Sequence, residues 1–416
     1  MESHTRPTQG GGRVSQGFHG VRERARSNRE ERFTALLHHL TPERLWQSYY
    51  ALKRKAAPGV DGVRWAEYET GLGGRLADLH SRVHRGAYRA LPSKRTWMEK
   101  ADGSQRPLGI AALEDKIVQH AVVTILNEIY EVDFKGFSYG FRPGRSQHMA
   151  LDALNVGLQR KKVNWVLDLD VRKFFDKLVH ERLLEMIEHR IADNRILRLI
   201  QKWLKAGVMD GDEWFETEEG TPQGAVISPL LANVYLHYVL DQWADQWRKS
   251  ARGDVILTRY ADDAIVGFQN RDEAQRFLRE LKERLAEFGL ELNEQKTKLI
   301  EFGRFAMTNR RQRGEGGPET FTFLGFQHVC ASNKKGIFTV QRITDGKRKR
   351  KKLQAIKQEL RRRMHEPVAK TGAWLRSVLN GYYQYHAVPG NLRALKRFGH
   401  WVARAWRQVL RRRSDQ

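Results

Sequence analysis

Tyr260-Ala261-Asp262-Asp263 lies between two apolar runs, Val255-Ile256-Leu257 and Ala264-Ile265-Val266. Such runs are typical of strands, and two strands with a tight acidic connection indicate a hairpin. Two adjacent carboxylates on a turn repel each other unless a cation lies between them, and a divalent metal ion is the usual partner. The stretch therefore predicts a β-hairpin with a metal-binding tip, although the same four residues also occur as an ordinary turn or helix N-cap.

A second acidic strand is predicted upstream, at Val166-Leu167-Asp168-Leu169-Asp170-Val171. Because side chains alternate along a strand, Asp168 and Asp170 share one face and the apolar residues share the other. One strand-borne aspartate beside an Asp-Asp hairpin is the arrangement that a two-metal nucleotidyl transferase needs.

The charge of the chain points to a polyanionic partner. Its 416 residues, 40% of them hydrophobic, are enough for two or three domains with real cores. The formal net charge is +25 and the pI is about 10.2, which favours nucleic acid as the partner. Residues 347–416 hold 20 Lys and Arg against 3 Asp and Glu, so this segment carries +17 of the excess. A catalytic body followed by a C-terminal module that binds nucleic acid is therefore predicted.

Several classes of protein are disfavoured by composition. Cys330 is the single cysteine, which excludes an internal disulfide and a cysteine-cluster zinc site and favours a reducing compartment, the cytoplasm. No apolar run of about 18 residues and no signal-peptide core is present, so no membrane partner is expected. Residues 1–32 are polar and rich in Gly and Arg, and are predicted to be a disordered basic lead-in.

The order of predicted elements gives an α+β layout, with a mixed sheet that carries the acids, helices behind it and an α-helical tail. Helical spacing predicts helices over 33–53, 113–130, 147–160, 228–249 and 271–288, and from 347 onward with breaks near Pro367, Gly372 and Pro389-Gly390. Strands are predicted over 166–171, 292–302 and 321–329, with a polar linker at 304–319.

The ordered motifs resemble those of one family. They are APGVDG at 57–62, RPLGI at 106–110, GFSYGFRPGRS at 136–146, DVRKFFD at 170–176, TPQGAVISPLLAN at 221–233, YADD at 260–263, LNEQKTK at 292–298 and FLGF at 323–326. In this order they resemble a reverse transcriptase of the group II intron-encoded type, in its bacterial form without an endonuclease domain. The tail, with Gly381-Tyr382-Tyr383 and the RRRS stretch at 411–414, resembles the maturase thumb of that family.

The resemblance implies a right-hand polymerase fold, with fingers and a palm built on a mixed or antiparallel sheet, followed by an α-helical thumb. It implies an N-terminal extension and fingers at 33–160, a palm with the catalytic acids at 161–335 and a helical thumb, the maturase RNA-binding domain, at 340–416. The family continues past the RRRS stretch, so this thumb is expected to be truncated. No Cys/His cluster for an endonuclease is present in the sequence.

The resemblance also implies roles for individual residues. Asp170, Asp262 and Asp263 match the catalytic metal-binding triad, with the backbone carbonyl of Val171 as a further ligand. The expected cofactor is two Mg²⁺ ions, with Mn²⁺ as a substitute, since magnesium prefers hard oxygen ligands. Asp168 is expected to make a structural hydrogen bond instead.

Five residues match positions that bind the incoming deoxynucleoside triphosphate: Arg106, Val171, Phe175, Gln223 and Lys296. Arginine recognises phosphate in a bidentate way and lysine acts as a point charge. A ring at Phe175 would clash with a 2′-hydroxyl and so reject ribonucleotides, whereas Phe174 beside it is expected to be core.

Nucleic-acid contacts are implied for a further group: Arg142, Arg145, Gly325, Lys349, Arg350, Lys351, Arg361 and Arg362. Basic runs neutralise phosphates, and thumb aromatics could stack on bases. For Trp401, the helical spacing with Ala405 and Val409 favours core packing over stacking.

The implied function is RNA-directed DNA synthesis together with intron RNA binding that assists splicing and mobility. The expected partners are template and intron RNA, a DNA primer or target and deoxynucleoside triphosphates; the oligomeric state is left open. Two alternatives are an RNA-binding splicing cofactor with little polymerase activity, and a domesticated reverse transcriptase linked to CRISPR or phage defence.

Overall fold

The protein's structure, a computed structural model, describes residues 16–99, 103 and 105–414. Within these residues the α-helices are α1 (Gln16–Ser27), α2 (Pro42–Ala51), α3 (Trp65–Glu69), α4 (Leu72–His84), α5 (Leu113–Asp133), α6 (Gln147–Arg160), α7 (His180–Glu188), α8 (Asn194–Leu204), α9 (Ser228–Leu236), α10 (Gln242–Lys249), α11 (Arg271–Ala286), α12 (Ala306–Gln312), α13 (Gly346–Arg362), α14 (Val368–His386) and α15 (Leu392–Ser414). The strands are β1 (Ser93–Glu99), β2 (Gln105–Ile110), β3 (Trp165–Asp170), β4 (Val208–Asp210), β5 (Glu213–Phe215), β6 (Val255–Tyr260), β7 (Asp263–Phe268), β8 (Lys298–Glu301), β9 (Phe321–Phe323), β10 (Phe326–Ser332) and β11 (Phe338–Thr344).

The chain folds into two compact units, each assembled from separate segments. The first takes its described residues from 1–97, 107–135 and 175–238, and the second from 98–106, 136–174 and 239–416. This division by packing cuts across the predicted boundary between fingers and palm, which stays a prediction.

The first unit is built around the long helix α5. Its buried face carries the predicted apolar residues, among them Ile117, Val122 and Ile129, and both α1 and α2 pack against it. A sheet in the order β2-β1-β4-β5 completes this unit, with β1 parallel to β4.

The predicted disorder of residues 1–32 is wrong for the described part of that segment. Residues 16–27 form α1, and Phe18, Val21 and Ala25 on one face of it are buried. Val21 and Ala25 are four residues apart and so form an apolar stripe on one face of the helix. The prediction missed this stripe because the segment as a whole is rich in Gly and Arg. Residues 1–15 lie outside the described residues.

The second unit contains the acidic strands in a fully antiparallel sheet of order β6-β7-β3-β8. Helix α11 packs against β3 and β7, and α6 packs against β6. Ala264, Ile265 and Val266 are all buried. A continuous apolar run of this kind is what a strand with both faces covered requires.

The same unit ends in a small sheet and three helices. The sheet has the order β11-β10-β9, and α13, α14 and α15 enclose a core of their own that includes Leu360, Leu375 and Val402. The predicted helix breaks near Pro367 and Pro389-Gly390 coincide with the ends of these helices, whereas Gly372 lies inside α14.

Some predicted elements are shorter than expected. Helix α2 begins at Pro42, and the Thr41 side chain caps it by accepting a hydrogen bond from the Arg44 amide at 3.2 Å, as the sequence predicted. Of the strand predicted over 292–302, only the part that forms β8 is a strand in the structure. The predicted linker at 304–319 contains α12. Across the described part of the chain, no helix has the length and apolar character needed to span a membrane.

Candidate active site

The acidic hairpin forms as predicted, with Tyr260 paired to Asp263 and the turn made by Ala261 and Asp262. Ala261 adopts a φ of 56°, in the left-handed region that two-residue hairpin turns use. The backbone of β6 is also paired on its outer side, since the Arg259 amide donates to the Phe137 carbonyl at 2.9 Å. The segment around Phe137, more than 100 residues earlier in the sequence, therefore helps to hold the hairpin in place.

Gly140 lies directly against this turn. A Cβ atom at Gly140 would clash with the backbone nitrogen of Ala261 and would lie 2.9 Å from the carbonyl carbon of Tyr260. Only glycine permits so close an approach of two backbones. The sequence alone shows Gly140 as a glycine within the 136–146 motif and gives no indication of this contact.

Asp170 lies directly opposite Asp263 on adjacent antiparallel strands. The pairing puts both carboxylates on one face of the sheet, next to Asp262 on the turn. The register of the sheet thus brings Asp170 next to the acidic hairpin, while the catalytic roles of the three acids stay predictions. Val171 follows Asp170 and is buried, and it forms an isolated bridge with Leu292.

The acids influence one another strongly. The Asp263 side chain reaches solvent, but the protein atoms around it and repulsion from Asp262 and Asp170 raise its pKa to about 6. Burial, together with Asp263 and Asp170, raises the pKa of Asp168 to about 7. Asp168 therefore belongs electrostatically to the acidic cluster, which the predicted role as a simple hydrogen-bonding residue did not foresee.

Basic residues surround the cluster. The Lys296 ammonium lies 3.5 Å from the Asp170 carboxylate. Burial raises the pKa of Asp262, and the positive charges of Arg106 and Arg259 oppose that shift. Arg348, on α13, lowers the pKa of Asp263. Arg348 was missed from the sequence because nothing distinguishes it from its basic neighbours in the run at 347–352.

The donor chemistry at the cluster suits a hard divalent cation. Asp170 and Asp263 supply carboxylate oxygens whose mutual repulsion a cation would relieve. Among residues 16–99, 103 and 105–414, however, no three or more His, Cys, Asp or Glu side chains already converge as a ready-made metal site. The Asp170 carboxylate is paired with Lys296 instead.

Two of the predicted nucleotide contacts meet in the first unit. Gln223 donates from its side-chain nitrogen to Asp176 at 3.1 Å, and its carbonyl accepts from the Gly109 amide at 2.7 Å. The Thr221 amide donates to the Phe175 carbonyl at 2.8 Å. These residues line a pocket of about 340 Å³. Phe174 is buried at 2% exposure, as expected for core, whereas Phe175 is half-buried.

Not all predicted nucleic-acid contacts are accessible. Arg142 is buried at 6% exposure and donates to the Ser138 carbonyl at 2.8 Å, so it organises its own loop and does not present a charge to phosphate. Arg145 is half-buried, bonds the Gly136 carbonyl at 2.7 Å and lies over the Tyr139 ring.

Gly325 is also buried, and the atoms nearest to its missing Cβ position belong to the Arg348 and Tyr385 side chains, so its expected role next to a primer stays a prediction. It forms the β9–β10 turn with Leu324, and both residues have left-handed φ values, 80° and 47°. A turn of this type needs glycine for conformational reasons alone.

Most of the basic residues of α13 that are predicted to contact nucleic acid are exposed. Arg350, Lys351, Arg361 and Arg362 are exposed and Lys349 is half-buried, while Leu353, Ile356 and Leu360 face the helical core. On α15, Trp401 is 56% exposed, although Ala405 is buried. The prediction that Trp401 packs in the core is therefore wrong, because the buried stripe follows Phe398, Val402 and Ala405.

Comparison with known proteins agrees with this geometry. The model of the family "Reverse transcriptase (RNA-dependent DNA polymerase)" matches residues 98–328, more than half of the chain. Protein YkfC of Escherichia coli is 35% identical over 58% of this chain and 72% of its own length. The group II intron-encoded protein LtrA of Lactococcus lactis is 33% identical over 52% of this chain. Nuclear intron maturase 4 of Arabidopsis thaliana is 29% identical over 32% of the chain.

The chain therefore belongs to the reverse transcriptase family, and within that family it is similar to a group II intron-encoded protein and to an intron maturase. RNA-directed DNA synthesis is the reaction of this family, its substrates are nucleic acids, and its members use divalent metal ions. The chain spans 36% of the length of LtrA and 17% of that of the Arabidopsis maturase.

Proposed function

We propose that this chain extends a DNA primer along an RNA template by two-metal nucleotidyl transfer, with Asp170, Asp262 and Asp263 as the metal ligands. The observation that carries the proposal is the register that sets Asp170 opposite Asp263, beside Asp262 on a tight turn. The Val171 carbonyl would complete the ligand set. Two Mg²⁺ ions held there, or Mn²⁺ in their place, would supply activation of the primer hydroxyl and charge stabilisation for the leaving group.

The residues of the chain would bind and orient the reactants. The primer 3′-hydroxyl loses its proton and attacks the α-phosphorus of the deoxynucleoside triphosphate, the bond to the bridging oxygen breaks and pyrophosphate leaves. Arg106 and Lys296 would hold the triphosphate, Phe175 would lie beneath the sugar, and Gln223 would contact the incoming nucleotide. Primer extension on an RNA template with Mg²⁺ tests the proposal, and absence of extension by the wild-type protein would contradict it.

The stability of the fold, and the stabilisation that a bound metal ion provides, should both depend on pH. The reason is that the pKa values of Asp263 and Asp168 are raised, to about 6 and about 7. Because the folded state holds these protons more tightly than the unfolded chain does, the free energy of unfolding should fall as pH rises through this range. Mg²⁺ should then raise the melting temperature more at about pH 8 than at about pH 5. Differential scanning fluorimetry measures both effects.

The matched control for this experiment is Asp168→Asn, which should flatten the pH dependence by removing one titrating group. An equal response to Mg²⁺ in the Asp170→Asn/Asp263→Asn double variant would contradict the assignment of the metal ligands.

Sugar discrimination offers a separate test. Replacing Phe175 by alanine should remove the ring expected under the sugar and raise ribonucleotide incorporation relative to deoxynucleotides by about 10–100-fold. Single-nucleotide extension with matched deoxy- and ribonucleotides measures the ratio. The control is Trp46→Ala, an aromatic side chain of the same unit that is 45% exposed on α2. An unchanged ratio in the Phe175 variant would remove this residue from the proposed nucleotide site.

We further propose that the chain binds intron RNA as a maturase, assisting splicing and mobility at a DNA target. The exposed basic residues of α13 and the net charge of +17 over residues 347–416 favour this second function. A splicing cofactor with little polymerase activity would retain RNA affinity and splicing assistance without primer extension. Whether the protein is intron-associated or domesticated would be decided by its gene neighbourhood.

Neutralising Lys349, Arg350 and Lys351 together to glutamine should weaken RNA binding and reduce its salt dependence. Each lost phosphate contact should lower the slope of log K against log salt by about 0.7. Filter binding over a salt series measures this slope. A matched triple substitution of exposed basic residues on α11, Arg271, Arg279 and Lys282, should leave the slope unchanged. Equal slopes for both triple variants would contradict the α13 assignment.

A further inference from the structure

A buried ion pair lies behind the acidic turn. Arg259, near the end of β6, is 2% exposed, and its partner Asp241 is fully buried. The guanidinium donates to both Asp241 carboxylate oxygens, from Nε at 2.7 Å and from Nη2 at 2.5 Å. This is the bidentate geometry that arginine and carboxylate form most strongly.

The same guanidinium holds the turn itself. Its Nη1 donates at 2.8 Å to the Ala261 carbonyl, which belongs to the peptide bond between Ala261 and Asp262. Ala261 is the residue with a φ of 56°, a conformation that is unfavourable for a non-glycine residue and persists only where the surroundings impose it. Arg259 thus connects the strained residue of the turn to Asp241.

Asp241 is anchored outside the hairpin. It is the last residue of a π-helical turn, His237–Asp241, between α9 and α10. Such turns are rare and are found frequently at functional sites. The ion pair therefore fixes a hairpin turn to a helical segment 18 residues away in sequence.

Stability alone is a weak reason for such a pair. Removing two charges from water carries a large desolvation cost, and apolar residues of similar volume often support a fold equally well. What an apolar pair would lack is the directed hydrogen bond to the Ala261 carbonyl.

We propose that Arg259 and Asp241 are positioning residues, which fix the turn so that the Asp262 and Asp263 carboxylates stand opposite Asp170. This inference rests on the proposed polymerase function. Neither residue needs to touch substrate, because both act through the backbone of the turn.

The test compares two variants with the wild-type protein. Arg259→Lys keeps the charge and removes the bidentate fork, and the Arg259→Met/Asp241→Leu double variant replaces the pair by apolar side chains of similar size. In both we expect kcat to fall about 10–100-fold, as for residues that orient metal ligands, with the KM for nucleotide and the primer-template affinity within about twofold of wild type. Amide hydrogen exchange of peptides covering 255–268 should accelerate in both.

The control variant is Arg252→Lys, which alters an exposed ion pair with Asp272 in the same unit. It should change neither kcat nor exchange at the turn. Wild-type kcat in the folded double variant would overturn the proposal, and so would a reduced kcat with unchanged exchange over 255–268. If the double variant does not fold, Arg259→Lys decides by the same two measurements. Hydrogen exchange remains informative if the wild-type protein makes no DNA, so failure of this inference is distinguishable from failure of the proposed function.

Discussion

The Asp262→Ala protein should make no measurable DNA on an RNA template while binding that RNA with wild-type affinity. Asp262 lies on the turn beside Asp263, opposite Asp170 on β3, and is proposed as one of three metal ligands. When one of several groups that act together is removed, the rate falls about 10³-fold or more. The RNA-binding charges lie elsewhere, on α13. Primer extension and filter binding, run in parallel, measure the two properties.

The conservative variant Asp262→Asn separates chemistry from folding. Because burial raises the pKa of Asp262, its charged form is disfavoured in the folded protein, and the neutral amide should fold at least as well at neutral pH. Asp272→Ala, an exposed acid on α11, serves as the control and should retain full activity. Loss of RNA binding together with synthesis in the Asn variant would contradict the assignment of Asp262 to the catalytic cluster.

Gly140→Ala should be nearly as damaging, although it adds a single methyl group. The added carbon would overlap the backbone of Ala261 and Tyr260, so either the turn or the 136–146 loop must move. Overpacking of this kind costs about 1–3 kcal/mol in stability. A displacement of about 1 Å at the acids should lower kcat by about 100-fold. Thermal unfolding and primer extension measure the two effects.

The matched control is Gly136→Ala, in the same motif. A Cβ atom at Gly136 meets nothing within 4 Å, and its φ lies outside the left-handed region. That variant should keep its stability and activity. If both alanine variants behave alike, the close contact between Gly140 and the turn has no functional consequence.

The acidic strands were predictable because their signal is local. Alternation placed Asp168 and Asp170 on one face, and the acidic pair between two apolar runs indicated the hairpin. The helix α5 was predictable for the same reason, since its apolar spacing is regular over five turns.

The remaining features depend on contacts between distant segments, which no local pattern contains. Nothing near Asp241 indicates Arg259 as its partner, and nothing near Gly140 indicates Ala261. Arg142 reads as a phosphate ligand until its burial is known. Helix α1 was missed because its composition resembles that of a disordered chain, and its apolar stripe becomes meaningful only against α5.

The pairing of Asp170 with Asp263 constrains the length of the chain as well as its composition. Strand side chains alternate with a period of two, so one inserted or deleted residue between Asp263 and Phe268 would exchange the buried and active faces beyond that point. The segment from Gly303 to Thr320, which contains α12 and carries no paired strand, can absorb such changes without disturbing the register. Homologues should therefore differ in length there and keep a constant number of residues across the acidic hairpin.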